Sequence, residues 1–192
     1  KIEKKNNKIK DNLINLLIIG GSQGASFFDD KITDLIVEIS KKHKLNIKQQ
    51  ISNKDKIQSI KEKYNRQNIE YKFFEFINDY KEIFNEVDLA ISRGGASTLS
   101  ELSFLNIPFI SIPLPTAKDN HKYYNADFYN KKNCCWLIEQ DKFNKDKVSK
   151  IISNIFVNRT DYFNKINNLK KITEKNTWNN LNNRIIEIID EN

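Results

Sequence analysis

Apolar residues fall along this chain in two alternating patterns. Leu13 to Ile19 is a near-continuous apolar run that ends at Gly20 and Gly21, as expected of a parallel strand buried on both faces. Beyond it Phe28, Ile32, Leu35, Ile36 and Ile39 return at the spacing of a helix with one apolar face. The alternation then repeats. Strands are expected at 13–19, about 46–51, 71–76, 87–92, 109–112 and 134–138, with helices around 54–64, 80–85, 97–105 and 120–131. From Asn144 onward the pattern is helical only: Val148, Ile151, Ile152 and Ile155, then Ile166 and Leu169, then Leu181, Ile185, Ile186 and Ile189. Strands alternating with helices predict an α/β fold, a parallel sheet with helices on both faces, whose ligands bind beyond the carboxyl ends of the strands.

Two glycine turns lie at such ends. Ser92-Arg93-Gly94-Gly95-Ala96-Ser97-Thr98-Leu99-Ser100-Glu101 reads as a strand end, a turn that lets a ligand approach the backbone, and the start of a helix. The unbonded first amides of such a helix favour an anion, and a carboxylate one turn further in can accept two hydrogen bonds from a ribose diol. Thr98-Leu99-Ser100-Glu101 also fits a capping box, in which Glu101 would only fold back on an N-cap amide. The other turn, Gly20-Gly21-Ser22-Gln23-Gly24-Ala25, lacks the G-x-G-x-x-G spacing, and the strand after it ends in Gln50 and Ser52 without the acid that holds an adenosine ribose. An NAD site is therefore disfavoured, and no Gly-Lys-Ser/Thr follows to make a P-loop.

The 192 residues suffice for one domain with a substantial core. Residues 1–12 are polar and are expected to be a tail or linker remnant, with the domain running over 13–192. The net charge of +7 is spread over the chain without a basic stripe, and aromatic residues fall mostly at core spacing. A nucleic-acid partner is not expected. No apolar run has transmembrane length. Cys134 and Cys135, adjacent in an expected strand, should point to opposite faces as buried free thiols, consistent with a reducing cytoplasm. His43 is expected to act as a polar cap near a helix end. His121 follows the proline-bounded loop after the fifth strand, where Asp119 or Asn120 would serve as a plain N-cap.

Taken together, these segments resemble the C-terminal, donor-binding domain of the MurG family, the UDP-N-acetylglucosamine:lipid I transferases of peptidoglycan synthesis. The likeness runs from about Leu13 to the end of the chain and rests on Gly20 to Ala25, Phe74 to Ile77, Gly95 to Glu101 and Asp119 to Ala126. It implies a Rossmann-like C-terminal half of a GT-B glycosyltransferase, with the acceptor groove and the general base in an N-terminal half outside this chain. It also implies that Phe76 and the backbone of Ile77 read uracil. Gly21, Ser22, Gln23 and the amides of Ser97 and Thr98 would hold the diphosphate beside Gly95, and Glu101 the ribose. Ala96, Asp119, His121 and position 122 would face the sugar. The family usually has Gln at that last position; Lys122 can donate to hydroxyls but not accept.

Such enzymes are similar in transferring GlcNAc from UDP-GlcNAc by direct displacement to undecaprenyl-pyrophosphoryl-MurNAc-pentapeptide, at the cytoplasmic face of the inner membrane, where the full-length protein would touch the bilayer peripherally. No cofactor is implied, and no Asp-x-Asp or carboxylate cluster at the glycine turns suggests a metal. Two alternatives remain: a UDP-GlcNAc-binding subunit of a split polyprenol-linked transferase, and a non-catalytic nucleotide-binding module.

Overall fold

The computed structural model describes residue 9 and residues 12–20, 25–77, 79–115 and 120–175. Six strands form one wholly parallel sheet: β1 (Leu13–Ile19), β2 (Lys44–Gln50), β3 (Glu70–Phe74), β4 (Leu89–Ser92), β5 (Phe109–Ser111) and β6 (Cys135–Leu137). Their order is β3-β2-β1-β4-β5-β6. The chain builds outward from β1 in one direction, then returns and builds outward from β4 in the other. The two central strands therefore part company above their carboxyl ends, which is where a doubly wound sheet opens a crevice.

Period-two alternation sends the central strands into two cores. From β1, Ile14, Leu16 and Ile18 enter one cluster, and Leu17 and Ile19 the other. Leu89 and Ile91 of β4 face the first, Ala90 the second. The first core is closed by α2 (Thr33–Ser40), α3 (Ile57–Asn65) and α7 (Lys145–Val157), through residues such as Leu35, Ile36, Ile60 and Ile152. The second is closed by α4 (Tyr80–Phe84), α5 (Ala96–Phe104) and α6 (His121–Lys131), through Ile83, Phe84, Leu99, Leu102 and Ala126. The last described helix, α8 (Thr160–Lys175), places Tyr162 and Ile166 in the first core and Leu169 in the second. Each fully buried Leu or Ile adds about 1.5–3 kcal/mol, so neither face of the sheet is dispensable.

Polar groups fix the register at the other edge. Asp88 Oδ2 accepts from both the backbone and the side-chain amide of Asn15 (2.9 Å each), and Asn46 donates to Asn15 Oδ1 at 3.1 Å. A chain with few glycines also closes its turns with asparagine: Asn68, Asn106 and Asn133 take left-handed φ of 51°, 57° and 52° after α3, α5 and α6. Asparagine tolerates that region better than other side chains do.

Four expectations need adjustment. Strand β6 begins at Cys135, so Cys134 lies in the bend after left-handed Asn133, and both thiols pack into the same core. Burial pushes them up to about 11 and about 12, so they are inert at neutral pH. His43 does not cap a helix with its ring: Nε2 lies 3.0 Å from Ser153 Oγ, and the imidazole stacks on Phe156 at 4.3 Å between centroids. It pins the start of β2 to α7. Asn120 is the N-cap residue of α6 but makes no side-chain cap bond, because its own backbone is left-handed (φ 41°). Asp119 and the expected helical residues Leu181 to Ile189 lie outside the described residues, as does most of the segment 1–12; within that segment Ile9 is buried, its carbonyl accepting from Arg159 at 3.4 Å.

The helix after the first glycine turn is irregular. A short α1 (Ala25–Phe27) leads into a π-helical turn over Phe28–Ile32, where Thr33 N–H reaches the Phe28 carbonyl, before α2 begins. The wide turn carries Asp29 inward, 1% exposed, and among the described residues neither carboxylate oxygen makes a well-formed hydrogen bond, although the Asn53 backbone lies near enough to act on it. Beside it, Gln49 donates to Thr33 Oγ1 (3.3 Å) and accepts from Tyr64 OH (2.5 Å). Burial, with a smaller contribution from Asp30, pushes the Asp29 carboxyl up from 3.8 to about 6, against the pull of the Asn53 backbone and Lys56. A raised folded-state value means that the folded chain holds this proton more tightly than the unfolded chain does. Stability should fall as pH rises from about 4 to about 6 and stay at the lower level above. Asp29→Asn removes that fall and should stabilise the protein at pH 8 by about 2–3 kcal/mol, with no gain below pH 4. Urea unfolding midpoints measured across this range check it.

Candidate functional site

The crevice between β1 and β4 is lined from the β4 side by Arg93, Gly94 and Gly95, which lead directly into α5. Gly94 adopts φ +80°, and a Cβ there would stand 2.6 Å from the carbonyl oxygen of Lys122. Only glycine fits, for both reasons. The close approach seats the first turn of α6 on the glycine turn, and Asn125 adds a bond from Nδ2 to the Gly94 carbonyl at 3.2 Å. Two segments separated by a helix, a strand and a loop are thereby fixed side by side.

Gly95 is the N-cap of α5 in extended conformation (φ −64°, ψ 134°), without a side-chain cap. The first intrahelical bond runs from Leu99 N–H to the Gly95 carbonyl at 2.9 Å, so the amides of Ala96, Ser97 and Thr98 precede it. No acidic residue sits in this first turn, and Ala96 and Ser97 are exposed. Amides and helix dipole present a positive end to solvent. Thr98 is the third residue of the helix, not its cap, so a Thr98–Glu101 capping box does not form. Glu101, half-buried, lies a full turn in from the start of α5.

Arg93 is the residue that sequence reasoning passed over. It is 3% exposed, and its guanidinium carbon stands 4.7 Å from the centre of the Phe28 ring and 5.0 Å from that of Phe27. It donates to the Ile112 carbonyl at 3.4 Å and to Gln140 Oε1. One cation thus joins the helix after the first glycine turn, the end of β4, the end of β5 and the 3-10 turn Gln140–Lys142 after β6. Burial lowers its value to about 10, which still leaves it charged at neutral pH. The only signal in the sequence was a charge set directly after an apolar strand.

Of the other expected positions, Phe76 lies beyond the end of β3, 72% exposed at the same sheet edge, and Ile77 packs partly against the second core. His121 and Lys122 open α6, the first exposed and the second half-buried. Gly21, Ser22, Gln23 and Asp119 lie outside the described residues. The structure seats the first turn of α6, which His121 and Lys122 open, on the glycine turn that leads into Gly95 to Glu101, and places Phe76 and Ile77 after the carboxyl end of the outermost strand β3. No group of three or more metal-ligating side chains occurs among the described residues.

This arrangement, a glycine turn and open helix start at the crevice of a doubly wound sheet, has counterparts. The family model for the glycosyltransferase family 28 C-terminal domain matches residues 15–181. The chain belongs to that family. A Pelagibacter ubique protein named UDP-N-acetylglucosamine--N-acetylmuramyl-(pentapeptide) pyrophosphoryl-undecaprenol N-acetylglucosamine transferase is 46% identical over 93% of this chain and 50% of its own length. A Rickettsia bellii protein of the same name is 37% identical over 94% of this chain and 51% of its own length. The family 28 chain thus spans about half the length of the curated relatives it matches. Among solved structures, Acinetobacter baumannii MurG superimposes with a TM-score of 0.73 at 22% identity, covering 98% of this chain and 55% of that one. Glycosyltransferase VinC, solved with dTDP, gives 0.62 at 9% identity over 84% of this chain and 37% of that one, a likeness of fold alone.

Gly94→Ala tests the seating of α6 on the glycine turn. The left-handed φ alone costs about 1–3 kcal/mol, and the clash with the Lys122 carbonyl adds to it. The variant should melt several degrees lower, with loss of amide protection concentrated at Gly95 to Leu99 and His121 to Asn125.

Proposed function

We propose that this chain is the donor-binding half of an inverting N-acetylglucosaminyltransferase that carries GlcNAc from UDP-GlcNAc to undecaprenyl-pyrophosphoryl-MurNAc-pentapeptide, making lipid II from lipid I. One observation carries the reading beyond family membership: the uncapped start of α5, Glu101 one turn in, and the first turn of α6 stand together at the crevice where β1 and β4 diverge. The relatives named as such transferases supply the substrates.

In this reading the amides of Ala96, Ser97 and Thr98 face the diphosphate, with Gly21, Ser22 and Gln23 closing from the β1 side. Glu101 accepts the ribose hydroxyls, while Phe76 and the backbone of Ile77 meet the uracil. Ala96, Asp119, His121 and Lys122 face the sugar. The C4 hydroxyl of the muramoyl sugar attacks C1 of GlcNAc, the C1–O bond to the diphosphate breaks, and UDP leaves with the electron pair. Charge builds on the leaving oxygen, and fixed amides with a helix dipole stabilise it without reorganising. The proton of the attacking hydroxyl passes to a base outside this chain. No helix among the described residues is long and apolar enough to cross a membrane. We place the full-length enzyme at the cytoplasmic membrane face as a peripheral protein.

Glu101→Gln should cost about 1.5–3 kcal/mol of UDP affinity, the range for a hydrogen bond to a charged group, with little change in melting temperature. Calorimetric titration with UDP reads the first and thermal unfolding the second. A variant that binds UDP normally but melts lower would sink the ribose assignment. UDP affinity should also survive EDTA, because helix amides take the place of a cation.

The chain alone should bind donor and fail to transfer, since reaction needs an acceptor wall and a base within hydrogen-bond reach of the attacking hydroxyl. Adding the N-terminal half of a relative, fused or in trans, should restore lipid II formation from radiolabelled UDP-GlcNAc. In that enzyme Lys122→Gln should keep or raise GlcNAc use. Turnover by the chain alone would mean that a base lies among its own residues, with His121 first to re-examine.

A further inference from the structure

Strand β2 ends on three polar residues, Lys48, Gln49 and Gln50, each bonded to a different neighbour. Gln49 faces the first core, where Thr33 and Tyr64 hold it. Lys48 and Gln50 lie on the opposite face of the strand. Lys48 Nζ donates to the carbonyls of Glu82 and Asn85 at 2.7 and 2.9 Å, at the carboxyl end of α4. Gln50 Nε2 donates to the Glu75 carbonyl at 2.9 Å, just beyond β3. The chain that carries Phe76 and Ile77 is therefore tied to β2 both before and after those two residues. Neither Lys48 nor Gln50 takes part in the donor contacts proposed above.

The position of β3 makes these ties matter. It is the outermost strand, so the chain leaving it has a strand neighbour on the β2 side alone. The main-chain ladder between the two strands ends where Ile51 N–H donates to the Phe74 carbonyl at 2.9 Å. The Gln50 side chain then supplies one more rung, to the next carbonyl along. The ion pair of Lys54 with Glu75, 3.0 Å apart, lies beside that rung but is largely exposed and adds little. Holding the Glu75 carbonyl fixes the peptide plane that it shares with Phe76 N–H. Ile77 is anchored in turn by packing partly against the second core.

We propose that Gln50 and Lys48 are positioning residues that set the base selectivity of the donor site, by holding the backbone of Phe76 and Ile77 at the spacing a pyrimidine edge requires. The inference rests on the donor site proposed above. Hydrogen bonds reward a distance window of only about 0.5 Å, so a backbone that reads a base edge must be held in place before the ligand arrives. A segment free to shift would adapt to a purine as readily as to a pyrimidine. The end of the second strand, where a dinucleotide-binding sheet carries its ribose acid, is in this way put to a different use.

The test compares UDP with ADP on the 192-residue chain, by calorimetric titration and by amide chemical shifts. Gln50→Met and Lys48→Met keep the length of each side chain and remove its donor. Each should lower UDP affinity about threefold to tenfold, the net worth of a hydrogen bond, and leave ADP affinity within about twofold. The shifts that UDP induces at Phe76 and Ile77 should shrink in both variants, while those at Gly95 to Glu101 persist. A side chain that only stabilised the fold would lower both affinities together or neither. Variants that keep the UDP-over-ADP preference of the unaltered chain, or lose both nucleotides in parallel, overturn the positioning role and leave the donor site standing. If the unaltered chain fails to bind UDP, or binds it no better than ADP and without moving Phe76 and Ile77, the donor reading itself fails and this inference falls with it.

Discussion

The reversal of strand order between β1 and β4 governs where chemistry can occur in this molecule. Parallel strands need crossover helices, and those that leave β1 and β4 go to opposite faces of the sheet, so a crevice opens above the carboxyl ends of these two strands. Backbone polar groups at that edge must find partners or a ligand. The glycine turn after β4 and the start of α5 stand there because the topology puts them there. An anion is the ligand that unbonded helix amides favour.

What holds the edge in shape is more costly than a helix start. A guanidinium taken out of water loses hydration worth several kcal/mol unless polar and aromatic groups replace it. Arg93 finds two phenylalanine faces, a carbonyl and an amide oxygen, drawn from three segments besides its own. Each attraction is modest, about 0.5–2 kcal/mol for a cation over a ring. Their value lies in what they fix. Removing any one partner leaves a buried charge less satisfied, so the four loop segments tend to move together or not at all. Gly94 adds a steric lock, since its missing Cβ is what lets the Lys122 carbonyl sit where it does. A site assembled from separate loops needs such ties to keep its groups within the few tenths of an ångström that catalysis demands.

The parts of this design carried by periodicity were legible from the residues alone. All six strands lie within two residues of their expected ends, because runs such as Leu13–Ile19 have no other stable place than a sheet interior. The α5 segment was legible for the same reason, glycines followed by an amphipathic start. Whether Thr98 caps the helix or sits inside it was not, since the choice depends on where Gly95 lets the helix begin. Arg93, Asp29 and His43 were illegible in their roles. Each depends on a residue distant in sequence: Gln140 for Arg93, the Asn53 backbone for Asp29, Ser153 and Phe156 for His43. The π-helical turn that swings Asp29 inward leaves no mark on hydrophobic spacing, for Phe28 and Ile32 stay buried across it.

Charge makes the same point about locality. The net +7 remains after every carboxylate is counted and is spread over the surface, where pairs such as Lys56 with Asp30, Lys63 with Asp34, Lys131 with Asp127 and Lys142 with Glu139 even out the local field. Exposed pairs of this kind add little stability, about 0–1 kcal/mol, and mark no site by themselves. What survives at the crevice is set by backbone geometry: the start of α5 with no acid in its first turn, and the start of α6 with none either and with His121 and Lys122 in their place. The two helix starts stand together at one edge, tied through Gly94 by its contact with the Lys122 carbonyl and by the bond from Asn125, and their amide dipoles favour an anion there. In the function proposed above, substituting Lys122 therefore changes a potential already shaped by amides, and its effect should fall on the donor's sugar rather than on its diphosphate.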